Sequence, residues 1–231
     1  MLLNRSQIAN RLLAALPRAE YQRLLPNLQP VTLTFGEILY EPGDPIKYVY
    51  FPHDSHISLL TPVDRHHALE VGLVGYEGMV GIGVALGISE SPVRALVQGS
   101  GTAMRMKTAP FRKEFKHSLT LQREVHLYVH ALMVQVAQTA ACNRFHVVEA
   151  RLARWLLMTR DRVCSNEFRL THEFLGHMLG VRRVGVTKAA LALKLRKLID
   201  YSRGNIVITN RRGLEATSCS CYERVTRKSK A

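Results

Sequence analysis

The chain is short of several things at once. No apolar run approaches the roughly 18 residues of a membrane-spanning helix, so a helical membrane protein is excluded. The opening Met1-Leu-Leu-Asn-Arg-Ser lacks the apolar core and small-residue cleavage site of a signal peptide, and the expected location is cytoplasmic. There are four cysteines in 231 residues, Cys142, Cys164, Cys219 and Cys221. They are too few and too scattered for a disulfide framework, and no pair has a zinc-finger spacing. Cys219-Ser-Cys221 is one residue short of a CxxC motif. It is expected as two small residues near the end of a C-terminal helix, and no metal is expected. Aromatic residues make up 7 % and Trp155 is the single tryptophan, which reads as a core anchor.

The other scarcity is acidic charge, with 18 Asp+Glu against 32 Lys+Arg, a net charge of +14. Hydrophobic residues at 47 % supply a real core and exclude a disordered chain. The charge is uneven. Residues 1–150 hold 14 basic and 12 acidic residues, and residues 151–231 hold 18 and 6, so +12 of the +14 lies in the last third. A polyanionic partner is the first expectation for that third.

Residues 2–28 read as short amphipathic helical segments, with Leu2, Leu3, Ile8, Leu12, Leu13 and Leu16 at helical spacing before Pro17, and Leu24 and Leu25 before Pro26. From Val31 to about Met106 the pattern changes to short β-rich runs: 31–35, 48–51, 56–61, 69–74, 93–97 and 102–106. Gly, Pro and Asp punctuate them, notably at Glu41-Pro-Gly-Asp-Pro45. Strands this short and evenly spaced predict a sandwich or jelly roll. Residues 110–115 then read as a short helix. Ser118 is the expected N-cap of a long one reaching about Cys142, with Leu121, Val125, Tyr128, Val129, Leu132, Val136 and Ala140 as its apolar positions. That stripe is wider than packing on one domain requires, which predicts dimerisation through this helix. Asn143-Arg-Phe-His146 reads as a hinge and Val147 to about Arg162 as another helix. The expected domains are 1–117, 118–146 and 147–231.

The basic third carries a pattern of its own. Thr171 suits an N-cap, with Glu173 in the first turn of a helix over 172–178. Leu179-Gly180-Val181 breaks it, and a second helix follows from about Arg182 to Leu198. Two helices joined by a short Gly-containing turn form a helix-turn-helix signature. The second opens with Arg182 and Arg183 and carries Thr187 and Lys188 one turn later, which sets hydrogen-bond donors at the end that enters a major groove. The runs 199–202 and 206–209 around Arg203-Gly204-Asn205 predict a hairpin with Arg203 at its tip, the wing of a winged helix. Asn210 is expected to cap one last helix through about Tyr222, with a frayed tail over 226–231. The bases cluster at element starts and turns. A membrane-surface helix would carry them along one face, so no membrane partner is expected.

These residues give the chain a resemblance, over nearly all its length, to the Crp/Fnr family of bacterial transcription regulators. The matching stretches are Glu41-Pro-Gly-Asp-Pro-Ile46 with Val49-Tyr-Phe51, Arg151-Leu-Ala-Arg-Trp-Leu156, and Leu170-Thr-His-Glu-Phe-Leu175 with Leu179-Gly-Val-Arg-Arg183. The resemblance implies an α+β chain: an N-terminal β jelly roll like a cyclic-nucleotide-binding domain, a long dimerisation helix and a C-terminal winged helix-turn-helix. It also implies a homodimer on a two-fold related double-stranded DNA site, acting on RNA polymerase. The sequence departs from the family in two places. Where the family often has Arg-Glu-x-x-x-Arg in the recognition helix, this chain has Arg183, Val184 and Lys188. Valine cannot accept a hydrogen bond from cytosine but can touch a thymine methyl. In the nucleotide cassette, Gly78-Met-Val-Gly81 is followed by Ile82 at the ribose-binding Glu position. Val93 falls at the phosphate-binding Arg position, with Arg94 one residue on. A one-residue shift turns a strand side chain to the other face, so cyclic AMP is not expected to bind in the usual way. The effector is left open. The Cys cluster of iron–sulfur members is absent before Cys142.

The expected DNA-contacting residues are therefore Arg182, Arg183, Val184, Thr187 and Lys188 toward base edges or nearby phosphates, and Thr171, His172 and Arg203 on phosphates. The chain is not expected to be an enzyme. The competing possibilities are a ligand-independent regulator whose jelly roll is a scaffold, and a metal-dependent jelly-roll enzyme. For the second, His53 and His56, the adjacent His66-His67, and His126 with His130 are the histidines to weigh. Adjacent strand residues face opposite ways, and Leu127 breaks an HExxH pattern. No G-x-S-x-G elbow or phosphate-binding loop is present.

Overall fold

The computed structural model describes residues 10–64, 68–163 and 165–229, the last three by backbone only. The expectations at Leu2, Leu3, Ile8, His66, His67 and Cys164, and at the end of the tail, lie outside the described residues. The chain divides into two compact units, Met1–Leu60 with Leu73–Leu132, and Thr61–Gly72 with Met133–Ala231.

In the first unit Asn10 caps helix α1 (Arg11–Ala15) through its Oδ1, while its buried Nδ2 donates to the carbonyls of Pro52 and Gly78 at 3.0 and 2.8 Å. One polar side chain thus ties the first helix to the end of a strand and to a distant turn. Helix α2 (Arg18–Leu24) starts directly after Pro17. Seven strands follow: β1 (Gln29–Leu33), β2 (Ile38–Tyr40), β3 (Tyr48–Pro52), β4 (His56–Pro62), β5 (Ala68–Val74), β6 (Arg94–Gly99) and β7 (Gly101–Lys107). They form two antiparallel-built sheets, ordered β1-β7-β3 and β2-β6-β4-β5. Leu33, Val49, Phe51, Ile57, Ala95, Val97 and Met106 are buried in the core of the unit. This is the expected β-sandwich. Strand β2 was not expected, because three residues beside a register shift with β6 are too few to show an alternation.

Helix α3 (Thr108–His117) is followed by the long α4 (Leu119–Phe145). Ser118 caps α4 as expected, its Oγ accepting from Leu121 N at 2.9 Å. The helix runs past Cys142 through Phe145, so Asn143–Phe145, expected as part of a hinge, are helical, and only His146 and Val147 separate α4 from the next helix. None of 143–145 is a Gly or Pro, and nothing in them stops a helix. The apolar stripe of α4 divides in two. Leu121, Val125 and Tyr128 are buried in the core of the first unit. Leu127 and Met133 remain exposed, at 51 and 65 %.

The second unit is built from α5 (Val148–Val163), β8 (Glu167–Arg169), α6 (His172–Leu179), α7 (Arg183–Leu195), the hairpin β9 (Ile199–Ser202) and β10 (Asn205–Ile208), α8 (Arg211–Thr217) and α9 (Cys221–Ser229). Its sheet order is β8-β10-β9. Leu152, Leu156, Leu175, Val186, Ala190, Leu193 and Leu214 are fully buried, and Trp155 is buried with its Nε1 donating to Glu70 Oε1 at 2.8 Å. Three local expectations are corrected. Helix α7 ends at Leu195, where the chain turns through Lys197 at φ +57°. The last helix is two: Ser218 takes an extended conformation (ψ 154°) and splits α8 from α9. The tail stays helical to Ser229. Strand β8 is new, again three residues long.

Candidate nucleic-acid interface

Helix α6 begins at Thr171, whose Oγ1 accepts from Phe174 N at 3.1 Å, and ends at Gly180. Gly180 holds φ +60°, and its N–H and that of Val181 close the helix onto Gly176 and His177 carbonyls. Gly176 is equally constrained: a Cβ there would sit 2.9 Å from Val181 O. The two glycines let the turn fold tightly enough to start α7 at once.

Arg182 is the N-cap residue of α7. Arg182, Arg183, Val184, Thr187 and Lys188 are all exposed, with Val184 at 59 %. The five expected groove residues therefore share the outward side of the first turns of α7. An exposed valine among bases serves no packing role. Thr187 is more tightly held than a free donor would be. Its Oγ1 donates to Arg183 O at 3.1 Å and lies 3.1 Å from His172 Nδ1. His172 is further fixed edge-on against Tyr201, with 4.9 Å between ring centroids. Burial and then the Arg183 charge hold the His172 imidazole below its ordinary pKa, so it stays neutral near pH 7. His172 thus braces α6, α7 and the hairpin together.

The hairpin turns through Arg203 and Gly204, both at positive φ (+48° and +80°), between the paired Ser202 and Asn205. Two consecutive left-handed residues make a type I′ turn, whose twist matches the flanking strands. Gly204 O also accepts from Leu170 N at 2.7 Å, which anchors the tip beside the start of α6. Arg203 is exposed, and a non-glycine residue at φ +48° carries backbone strain of about 1 kcal/mol.

Ion pairing separates the bases of this unit into two groups. Arg160 reaches Asp161, Lys194 reaches Asp200 at 2.6 Å, Arg196 reaches Glu149 at 2.9 Å, and Arg211 bridges Asp161 and Glu215 at 3.0 and 2.7 Å. Among the described residues, no carboxylate pairs with Arg182, Arg183, Lys188 or Arg203. Arg211, which stands out in the sequence at a helix start, is thus committed to holding α8 in place. Arg169 is a base that sequence reasoning missed. It is exposed on β8, directly across from Asn205 at the hairpin's end. Only the unexpected strand reveals that placement.

Residues 150–217 match the family model of the Crp-like helix-turn-helix domain. That segment, from α5 through α8, is therefore a Crp-like helix-turn-helix domain. A helix-turn-helix is a DNA-binding element, which makes this segment the candidate DNA-binding part of the chain. Solved structures share the fold along most of the chain. A protein assigned to the Crp/Fnr family from Eubacterium rectale ATCC 33656 is 16 % identical, with 90 % of this chain and 97 % of that one covered and a TM-score of 0.71. FixK2 from Bradyrhizobium japonicum is 14 % identical over 84 and 98 %, with a TM-score of 0.70. A Crp/Fnr-family regulator from Thermus thermophilus is 18 % identical over 82 and 98 %, with a TM-score of 0.68. At these identities the likeness is one of fold. No curated protein sequence is significantly similar to the chain.

In the first unit, Gly78 and Gly81 are closely approached by side chains of the same unit. A Cβ on Gly78 would fall 2.0 Å from the Tyr128 ring, and one on Gly81 would meet Tyr40, Ile46 and Val49 at 3.0 to 3.3 Å. Ile82 begins a 3₁₀ turn (Ile82–Leu86), and the Arg94 guanidinium is paired with Glu41 at 2.8 Å. The histidines weighed as metal ligands, His53, His56, His126 and His130, do not gather. Among the described residues the one group that does is Cys142, His146, Cys219 and Cys221. There the Cys219 thiol, and then the Arg154 charge, hold Cys142 down at about 4 against the opposing effect of burial.

Proposed function

We propose that the chain acts in the cytoplasm as a homodimer that binds a palindromic double-stranded DNA site and acts on RNA polymerase. Residues 1–117 form the effector or sensor domain, 118–146 the dimerisation helix and hinge, and 147–231 the DNA-binding domain. The observation that carries the reading is the set of exposed bases without carboxylate partners at the start of α7 and at the hairpin tip. Arg183 and Lys188 read guanine edges, and Val184 contacts a thymine methyl. Arg182 and Thr187 lie beside them. Thr171, His172 and Arg203 position the phosphate backbone, and Arg169 extends that contact. Dimerisation uses the face of α4 opposite its core residues, where Leu127, Met133, Val134 and Ala137 fall together.

Cyclic AMP in its usual mode is not the effector. Ile82 offers no ribose acceptor, and Arg94 is engaged by Glu41. Any signal works by favouring one arrangement of the two DNA-binding domains over another. Selection of bound sequences from a random DNA pool tests the reading. The expected result is a palindromic consensus with half-sites about one helical turn apart. An asymmetric consensus would remove the dimer, and no enrichment would remove sequence-specific binding.

A further inference from the structure

Cys142 and His146 lie one turn apart at the end of α4. Cys219 lies in the turn after α8, and Cys221 opens α9. Their four ligand atoms all lie within 4.8 Å of one another. Cys142 Sγ is 3.4 Å from Cys219 Sγ, and Cys221 Sγ is 3.6 Å from His146 Nδ1. A sulfur separation of 3.4 Å is far outside the ~2.05 Å of a disulfide. It is instead close to a tetrahedron's edge. Ligands about 2.3 Å (sulfur) and 2.0 Å (nitrogen) from one ion stand roughly 3.4–3.8 Å apart. A polynuclear iron–sulfur cluster distributes its ligands over several metal atoms and needs a wider cage.

The surroundings point the same way independently. Arg151 and Arg154 are each only 7 % exposed, and each has a buried Nε with no hydrogen-bond partner. Among the described residues neither has a carboxylate partner. Arg151 donates to Asn143 Oδ1 and Leu179 O, and Arg154 to Thr139 Oγ1, all neutral acceptors. Two buried cations with no counter-charge are costly. Three thiolates around one divalent ion sum to −1 and supply that charge. Gln138 Nε2 lies 3.0 Å from Cys221 Sγ and donates to it, the outer-shell bond a metal thiolate uses. The cysteines are buried, and the chain reaches them from positions 77 residues apart.

We propose that Cys142, His146, Cys219 and Cys221 bind one zinc ion in a closed, tetrahedral Cys₃His site. All four positions belong to the protein, which marks a structural site with no open coordination for chemistry. The ion fastens the start of α9 to the end of α4. Binding requires the three thiols to lose their protons and the imidazole to be neutral, so loading releases protons and weakens with acid.

The test uses the full-length chain, purified under reducing conditions without chelator. Zinc content is expected at one ion per chain. The metal-free protein titrated with cobalt(II) should show the intense absorption of tetrahedral cobalt thiolate, abolished by added zinc. Cys219→Ser and Cys221→Ser should each weaken cobalt binding by about 100-fold or more, whereas Gln138→Leu should weaken it about 10–100-fold and keep the stoichiometry. Because a cysteine variant can fail to fold, the unmutated protein provides a second reading: chelator should lower its melting temperature, and zinc should restore it. Trace zinc with no cobalt thiolate band overturns the proposal. So does iron with acid-labile sulfide, a Cys142–Cys219 disulfide under reducing conditions, or full cobalt binding by the Cys142→Ser/Cys219→Ser double variant.

Discussion

The two units differ more in how they treat charge than in how they pack. The sandwich unit lies within the nearly neutral first 150 residues, and its charges meet one another, as in Arg23 with Glu114 at 3.3 Å and Arg94 with Glu41 at 2.8 Å. The winged-helix unit lies mostly in the +12 section. It uses its few acids to hold one set of bases and leaves another set exposed at a helix start and a hairpin tip. A large net charge alone says only that a polyanion is attracted. Under the proposed function, the division between engaged and unengaged bases marks the surface offered to that polyanion. Lys194, Arg196 and Arg211 carry the same unit charge as Arg183 and Arg203, yet their ion pairs assign them to the fold.

That contrast can be broken from either side. The largest effect is expected in the winged-helix core. Trp155→Ala should cost about 3–5 kcal/mol in chemical denaturation, through a cavity and the lost bond to Glu70, and DNA binding should fall with it. Arg183→Ala should leave stability within about 0.5 kcal/mol but weaken specific DNA binding by about 1–3 kcal/mol, relaxing preference at one base, as read by fluorescence anisotropy on selected and scrambled sites. Arg203→Ala should weaken all sequences alike and reduce the salt slope by about 1. In the sandwich unit Glu41→Gln should change stability by less than about 1 kcal/mol, since the Arg94 pair is solvent-exposed. The smallest effect concerns pH. His172 has a folded pKa below its unfolded one, so it binds fewer protons folded than unfolded. Stability should therefore decline as pH falls through about 6.5 toward the folded value. That slope should vanish in His172→Gln, as measured by thermal melts across pH.

The winged helix was legible because its signals are local. Thr171 caps where a cap was expected, Gly180 turns left-handed where the pattern broke, and Arg203-Gly204 turns the hairpin. Long-range pairing left weaker traces. Strands β2 and β8 have three residues each, too short for a period, and exist because β6 and β10 offer them an edge. Arg169 gained its place only through that pairing. The four-residue cluster at Cys142 escaped for the same reason: its ligands sit on segments far apart in the chain, and Cys219-x-Cys221 alone carries no metal spacing. The wide stripe on α4 was visible, but its division between an internal face at Leu121, Val125 and Tyr128 and an outward face at Leu127 and Met133 depends on the sandwich it packs into.

The central claim is that unengaged bases hold the DNA and engaged bases hold the fold. One side-by-side measurement tests it most directly: the affinity of Arg183→Ala and Arg196→Ala for the selected DNA site, with a scrambled site as reference. Arg183→Ala should lose about tenfold or more for the selected site and much of its discrimination, while Arg196→Ala keeps both to within about twofold. Equal losses in the two variants, or no loss in Arg183→Ala, would contradict the account.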